Sequence, residues 1–235
     1  MKRGRYRREL SVAGAFFALL LLLAVASPRF FRPEQLMATA VSNAPVLIAA
    51  IGMTMVILCR QIDISIGSQF GLCGVAAGLL AQAGVPIPLV IIGTLLVGAS
   101  LGAVNGWLVA RVGLPSIVVT LATMVIGREA LRYGRQGAFV RNLPDQFQWF
   151  GTGQAVGQWI ILGSTLLIFF IFAWALRNLA VGRSVYATGS DPEAARLAGV
   201  QPAWVIFGVF VLMGTLTGLA ALLSAVRFVD VDPNA

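Results

Sequence analysis

Three features of the sequence predict an all-α, polytopic membrane bundle. Of its 235 residues, 58% are hydrophobic and 11% charged, against about 25% charged in a soluble domain. Long apolar runs recur along the whole chain, more than a single soluble core could bury and cover. The net charge of +8 comes mostly from arginines that flank those runs. A basic balance can attract nucleic acid, but basic residues at the ends of apolar runs set membrane orientation. The reading is therefore a lipid-embedded chain with no nucleic-acid partner.

Absences narrow the chemistry. There is no histidine, which removes His-based triads, imidazole relays and zinc sites that need one. Lys2 is the sole lysine, so no phosphate-binding loop with its lysine is present. Cys59 and Cys73 sit in or beside apolar runs and read as buried bystanders. No catalytic residue, metal or cofactor is expected, and any ATP hydrolysis must come from a partner.

Seven apolar segments follow in order, at 11–27, 44–59, 69–83, 89–110, 117–131, 159–176 and 204–226. A straight span takes about 20 residues, with about 17 as a lower limit. The second, third and fifth fall short, which predicts one or more broken helices beside a polar interruption. The first segment has a basic start and an Ala-Val-Ala run near its end, as a signal peptide would. The further apolar runs downstream favour an uncleaved first span.

Lys2, Arg3, Arg5, Arg7 and Arg8 hold the N-terminus in the cytoplasm. Seven spans then place Arg60, Arg111, Arg177, Arg183 and Arg196 inside, against a cluster of Arg128, Arg132, Arg135 and Arg141 outside. Arg128 within the span end, paired with Glu129 or with a neighbouring helix, would temper that cluster. The long outer segment 132–158, rich in Gly and aromatic residues, reads as irregular or interfacial. Gly98, Gly102 and Gly106 recur every four residues, and the pairs Gly67/Gly71, Gly74/Gly78 and Gly214/Gly218 repeat that spacing. Such faces let helix backbones approach closely in lipid.

Two polar stretches carry the functional information. The first, "IDISIGS" at 62–68, puts Asp63 between two apolar runs. A buried carboxylate is expensive, so it belongs at an interface, in a polar cavity or beside a cation. Ser65 or Ser68 would cap the following helix, and Gly67 would let the chain turn. Both a broken helix lining a polar site and a cytoplasmic turn with an N-cap satisfy these residues. Asn105 and Thr120 are further polar side chains inside apolar segments, either pathway-lining or packing groups. The second stretch, residues 182–202, predicts one short helix over Pro192–Ala198. Ser190 or Asp191 would cap it, Gly199 would stop it and Pro202 would block its continuation. Ala194, Ala195 and Ala198 would offer a small-residue surface to a partner.

Glu193-Ala194-Ala195 followed by Gly199 resembles the E-A-A-x-x-x-G coupling-loop motif of ABC importer permeases. "GRSVYATGSDPEAARLAGV" resembles that loop in ribose-type sugar permeases, "IDISIGS" their I-D-L-S-V-G-S signature, and "GAVNGWLVARVGLPSIVVTLATM" their N-G…P-x-I-V-T-L block. The three blocks occur in family order and cover nearly the whole chain.

The resemblance implies one permease domain over 1–235 in the bacterial inner membrane, with a cytoplasmic coupling loop at 182–202. It also implies three protein partners: a separate cytoplasmic ATPase, a second permease subunit (the same or different) and an extracytoplasmic sugar-binding protein. By that likeness Glu193, Ala194, Ala195 and Gly199 meet the ATPase. Asp63, Ser65, Gly67 and Ser68 are signature positions, placed with Asn105 and Thr120 in a solute pathway. The overall likeness favours a monosaccharide of the ribose or rhamnose class. The alternatives are an autoinducer-2-like sugar derivative, branched-chain amino acids, and a stand-alone carrier. Members of the family continue for several more helices, so the chain is expected to be C-terminally incomplete.

Overall fold

A computed structural model describes residues 3–136, 138 and 140–228. Nine α-helices are found among them: α1 (Arg3–Ala26), α2 (Pro33–Leu58), α3 (Ile66–Gln82), α4 (Ile87–Ala110), α5 (Ser116–Arg135), α6 (Gln154–Asn178), α7 (Ala180–Ser190), α8 (Pro192–Leu197) and α9 (Pro202–Ala225). The all-α prediction holds for these residues. The chain divides into a unit ending at Ser42 and a unit starting at Asn43. The first consists of α1, a 3-10 turn at Pro28–Phe31 and the beginning of α2; the second carries everything that follows.

Each of the seven apolar segments lies on a helix, with two corrections to the lengths. The second is not short: α2 starts at Pro33, runs for 26 residues and carries Pro45 within it. Pro33 opens the helix without losing a bonded N–H. Four helices, α2, α4, α6 and α9, are long and apolar enough to cross a membrane. α3, at 17 residues, is a shorter apolar helix. The fifth segment is not short either: α5 runs for 20 residues, but its second half carries Arg128, Glu129, Arg132 and Arg135. Glu129 pairs with Arg132 at 3.6 Å, one turn along the helix, which leaves the Glu129 alternative for Arg128 unfilled.

In the second unit α4 and α9 form the closest helix pair, and glycine is the reason. A Cβ on Gly98 would collide with the Gly214 carbonyl oxygen, one on Gly102 with that of Phe210, and one on Gly214 with that of Gly98. The four-residue glycine spacing therefore becomes a seam in which backbone meets backbone. α3 packs beside the pair and α5 packs on α3. The core holds Met55, Val56 and Cys59 of α2, Val109 of α4, Val119 of α5, Val185 of α7, and Val209, Phe210 and Met213 of α9.

Connections gather at two ends of this unit. At one end, Ile62 N donates to Ser116 Oγ at 3.2 Å, and the Arg111 guanidinium lies 4.0 Å over the Trp204 ring. These contacts bring together the α2–α3 linker, the α4–α5 linker and the start of α9. At the other end, Gln82 Nε2 donates to Arg141 O at 3.2 Å, and Trp149 N to Val226 O at 2.7 Å. Of the outer segment 132–158 expected to be irregular, residues 132–135 continue α5 and 154–158 begin α6; residues 140–153 are irregular apart from a 3-10 turn at Gln148–Gly151. They are also packed, with Val140, Leu143 and Phe147 buried.

Candidate functional site

The first candidate region is the linker between α2 and α3. α2 ends at Leu58, Arg60 takes a left-handed conformation with φ 58, and α3 begins at Ile66. The helices are interrupted around Asp63, as both the broken-helix and the turn readings require. Asp63 is 1% exposed, and three donors surround its carboxylate. Ser65 N lies 2.9 Å and Ser65 Oγ 2.5 Å from Oδ1, and Gln69 Nε2 lies 3.3 Å from Oδ2. The Ser65 hydroxyl also accepts from Gln69 Nε2 at 2.7 Å and from Asn105 Nδ2 at 2.8 Å. One buried hydroxyl thus ties α4 to the break. Asp63 lies in the linker, outside both helices. Burial pushes its carboxyl above the usual carboxylate range, and the Ser65, Gln69 and Asn105 hydrogen bonds pull it the other way. The side-chain oxygens of Gln69 and Asn105 are buried without a protein partner.

Two local expectations are corrected here. Ser65 occupies the N-cap position of α3, but its side chain caps nothing, because its hydroxyl is committed to Asp63, Gln69 and Asn105. Ser68 does not cap either; its Oγ donates to Ser65 O at 2.9 Å. Gly67 does not make the turn. It lies within the first turn of α3, exposed, with nothing within 4 Å of where a Cβ would be. The left-handed residue at the break is Arg60.

Thr120 is buried beside the same linker. Its Oγ1 donates to Ser116 O at 2.8 Å and lies 3.4 Å from Ile62 O. Asp63, Ser65, Ser68 and Asn105 therefore form one network, Thr120 braces the adjoining main chain, and Gly67 stands apart on the free face. Sequence reasoning missed Gln69 and Ser116. An amide one turn into a helix and a serine after a proline have ordinary local explanations, so only the fold shows what they bind.

The second region is α8. The Asp191 carboxylate caps it, accepting from Glu193 N at 2.9 Å and Ala194 N at 3.1 Å, and Pro192 is the first helical residue. Gly199 follows at φ 84, a conformation that costs a Cβ-bearing residue about 1–2 kcal/mol. Pro202 then opens α9. The expected start and stop are in place, with Ala198 as the C-cap instead of the last helical residue, and of the two cap candidates Asp191 acts.

Glu193, Ala194, Arg196, Leu197 and Ala198 are exposed. Ala195 is buried, so it seats α8 on its own bundle instead of joining a free alanine surface. Leu197 is 91% exposed, an apolar side chain held in solvent and unremarked in the sequence. Beside it, an open groove of about 410 Å³ is lined by Arg196, Gly199, Val200, Gln201, Pro202 and Ala203.

α7 was also missed. The polar appearance of 180–190 conceals a helix whose buried residues, Gly182, Val185, Thr188 and Gly189, fall three or four apart apart from the final pair. Only Val185 among them has a sizeable apolar side chain, so the sequence offered little apolar periodicity to read. Among the described residues no group of His, Cys, Asp and Glu could hold a metal.

Comparison with known proteins adds a lineage. The model of a family described as branched-chain amino acid transport system / permease component matches residues 35–235. The chain is 35% identical over 214 residues to the autoinducer 2 import system permease protein LsrC of Escherichia coli O157:H7, covering 90% of this chain and 63% of that protein. It is 33% identical over 218 residues to the protein of the same name from Salmonella typhi, covering 93% and 63%. With that of Salmonella paratyphi B the identity is 32% over 225 residues, covering 96% and 65%. The chain thus spans less than two thirds of the length of these relatives. No solved structure matches it.

Proposed function

This chain belongs to the branched-chain amino acid transport system / permease component family, and on that premise we propose that it forms part of the membrane pathway of an ATP-driven importer for an autoinducer-2-like sugar derivative. As a permease component it carries out no ATP hydrolysis; a cytoplasmic ABC ATPase supplies the energy. A second permease subunit completes the pathway, and an extracytoplasmic binding protein delivers the solute. The complex sits in the inner membrane of a bacterium, with the N-terminus and α8 on the cytoplasmic side.

The observation that carries this reading is the built form of α8. A carboxylate cap, a proline start and a left-handed glycine stop make six residues rigid. Glu193 and Leu197 are exposed on it, beside the open groove. A rigid helix can pass on a partner's movement, which a floppy loop would absorb. The Glu193 carboxylate also suits a helix N-terminus. Similarity to autoinducer 2 permeases favours the sugar-derivative alternative over ribose or rhamnose.

Within the pathway, Asp63, Ser65, Ser68, Asn105 and Thr120 set the shape of the broken helix. Their burial supports that role, while Gly67 offers a free surface nearer a solute.

The test uses the full-length protein with its ATPase, second permease and binding protein, in cells lacking other importers. Uptake of autoinducer 2 is measured beside ribose, rhamnose and leucine. ATPase-dependent uptake of autoinducer 2 is expected. Preference for either sugar or for leucine would overturn the substrate, and uptake without the ATPase would overturn the class in favour of a stand-alone carrier. In the same complex Glu193→Ala should weaken ATPase retention by about two- to tenfold, the scale of one charge-assisted contact. Gly199→Val should weaken it further.

A further inference from the structure

α7 does more than connect α6 to α8. Gly189 lies so close to the end of α2 that a Cβ there would collide with the Leu58 carbonyl oxygen. Two polar contacts flank this approach. Arg60 Nη2 donates to Ser190 O at 2.8 Å, and the Cys59 thiol lies 3.9 Å from Val185 O. Val185 itself is fully buried in the core with Met55, Val56 and Cys59. Ser190 is the last residue of α7, where the free carbonyls of a helix end favour a cation.

What lies on either side gives the contact its meaning. Asp191, the cap of α8, directly follows Ser190. Arg60 is followed by Gln61, Ile62 and then Asp63 of the buried network. Ile62 N in turn reaches Ser116 of α5. A backbone-on-backbone contact leaves no side chain to bend, so a shift of α7 must move Leu58 or break the contact. The left-handed backbone of Arg60, at φ 58, is disfavoured for a residue with a Cβ and persists where its surroundings over-determine it.

We propose that Arg60, Gly189 and Ser190 form a latch that delivers movement of α8 to the helix break, with Arg60 as a positioning residue of the transport cycle. The proposal rests on the reading of α8 as the ATPase contact. Energetic coupling travels through contiguous packed elements, and the latch is one such link between α8 and the Asp63 network.

The experiment reads the break directly. Full-length protein carrying Cys59→Ser, Cys73→Ala and Ile62→Cys is assembled with its ATPase and second permease. Thiol labelling at position 62, which is 45% exposed, is timed without nucleotide and after trapping with ATP and vanadate. The two rates should differ by about threefold or more in this parent, the scale of one exposed charge contact made or lost. Arg60→Ala should abolish the difference with ATPase retention unchanged, and Arg60→Lys should restore part of it. A role confined to stability would leave the difference in place. Gly189→Ala should act as Arg60→Ala does; if it fails to fold, the exposed Arg60 variants still decide.

An undiminished difference in Arg60→Ala, or none in the parent, overturns the latch. If Arg60→Ala is silent while Glu193→Ala and Gly199→Val release the ATPase, the latch falls alone. If those two α8 variants keep both the ATPase and the labelling difference, the coupling reading falls and takes the latch with it.

Discussion

Asp63 is the residue on which most of the polar chemistry turns. Its carboxylate accepts from Ser65 N, Ser65 Oγ and Gln69 Nε2. Asp63→Leu would leave these donors buried without an acceptor, at about 1–3 kcal/mol each where they find no other partner. A drop in the melting temperature of the purified protein is expected, with a smaller drop for Asp63→Asn, which keeps one acceptor oxygen. A parental melting temperature for Asp63→Leu would show that the network does not hold the break. Gly67 makes the opposite case. It is helical, exposed and free of neighbours, so Gly67→Ala should stabilise by roughly 0.5–1 kcal/mol, the difference in helix propensity. Unchanged or higher thermal stability with reduced solute uptake would mark Gly67 as a pathway surface.

Among the elements, α4 and α9 depend most on the absence of side chains. Gly102 meets the Phe210 carbonyl oxygen and Gly98 meets that of Gly214. Gly102→Leu would push two helices apart along the seam and cost at least roughly the 1–3 kcal/mol typical of overpacking. The expected result is loss of the monodisperse peak on size-exclusion chromatography. Gly208→Leu on α9, where a Cβ finds open space, should leave the peak intact. Equal tolerance at both positions would refute the seam. The four-residue repeat announced a close-packing face, but α4 has several possible neighbours and the repeat does not name one. The pairing with Gly214 and Gly218 came from the fold.

At the scale of the whole molecule the question is which connections share a membrane face. In the second unit, the α2–α3 and α4–α5 linkers, α7 and the start of α9 gather at one end, while residues 140–153 meet the ends of α3 and α9 at the other. Alternation of the helices predicts the same grouping from the sequence. In a Cys-free background, Ser190→Cys should resist an impermeant thiol reagent in intact cells, and Gln146→Cys should react. Both residues are exposed, so failure to react would reflect the membrane side. The reverse pattern would invert the topology and remove α8 from the cytoplasm.

Local sequence carried the helical membrane class, the seven apolar segments, an interruption near Asp63, and the start and stop of α8. These follow from local causes: apolar length, a carboxylate before a proline, a glycine where a helix must end. Tertiary structure alone decided what the polar groups do. Ser65 looked like a cap, yet its hydroxyl joins Asp63 to Asn105, forty residues away. Gly67 looked like the turn, yet Arg60 takes the left-handed conformation. Ala195 looked available to a partner, yet it packs inward and leaves Leu197 outside. Local sequence sets which groups can bond or turn, but a buried donor takes whichever acceptor the fold brings within reach, and burial removes water as the competitor.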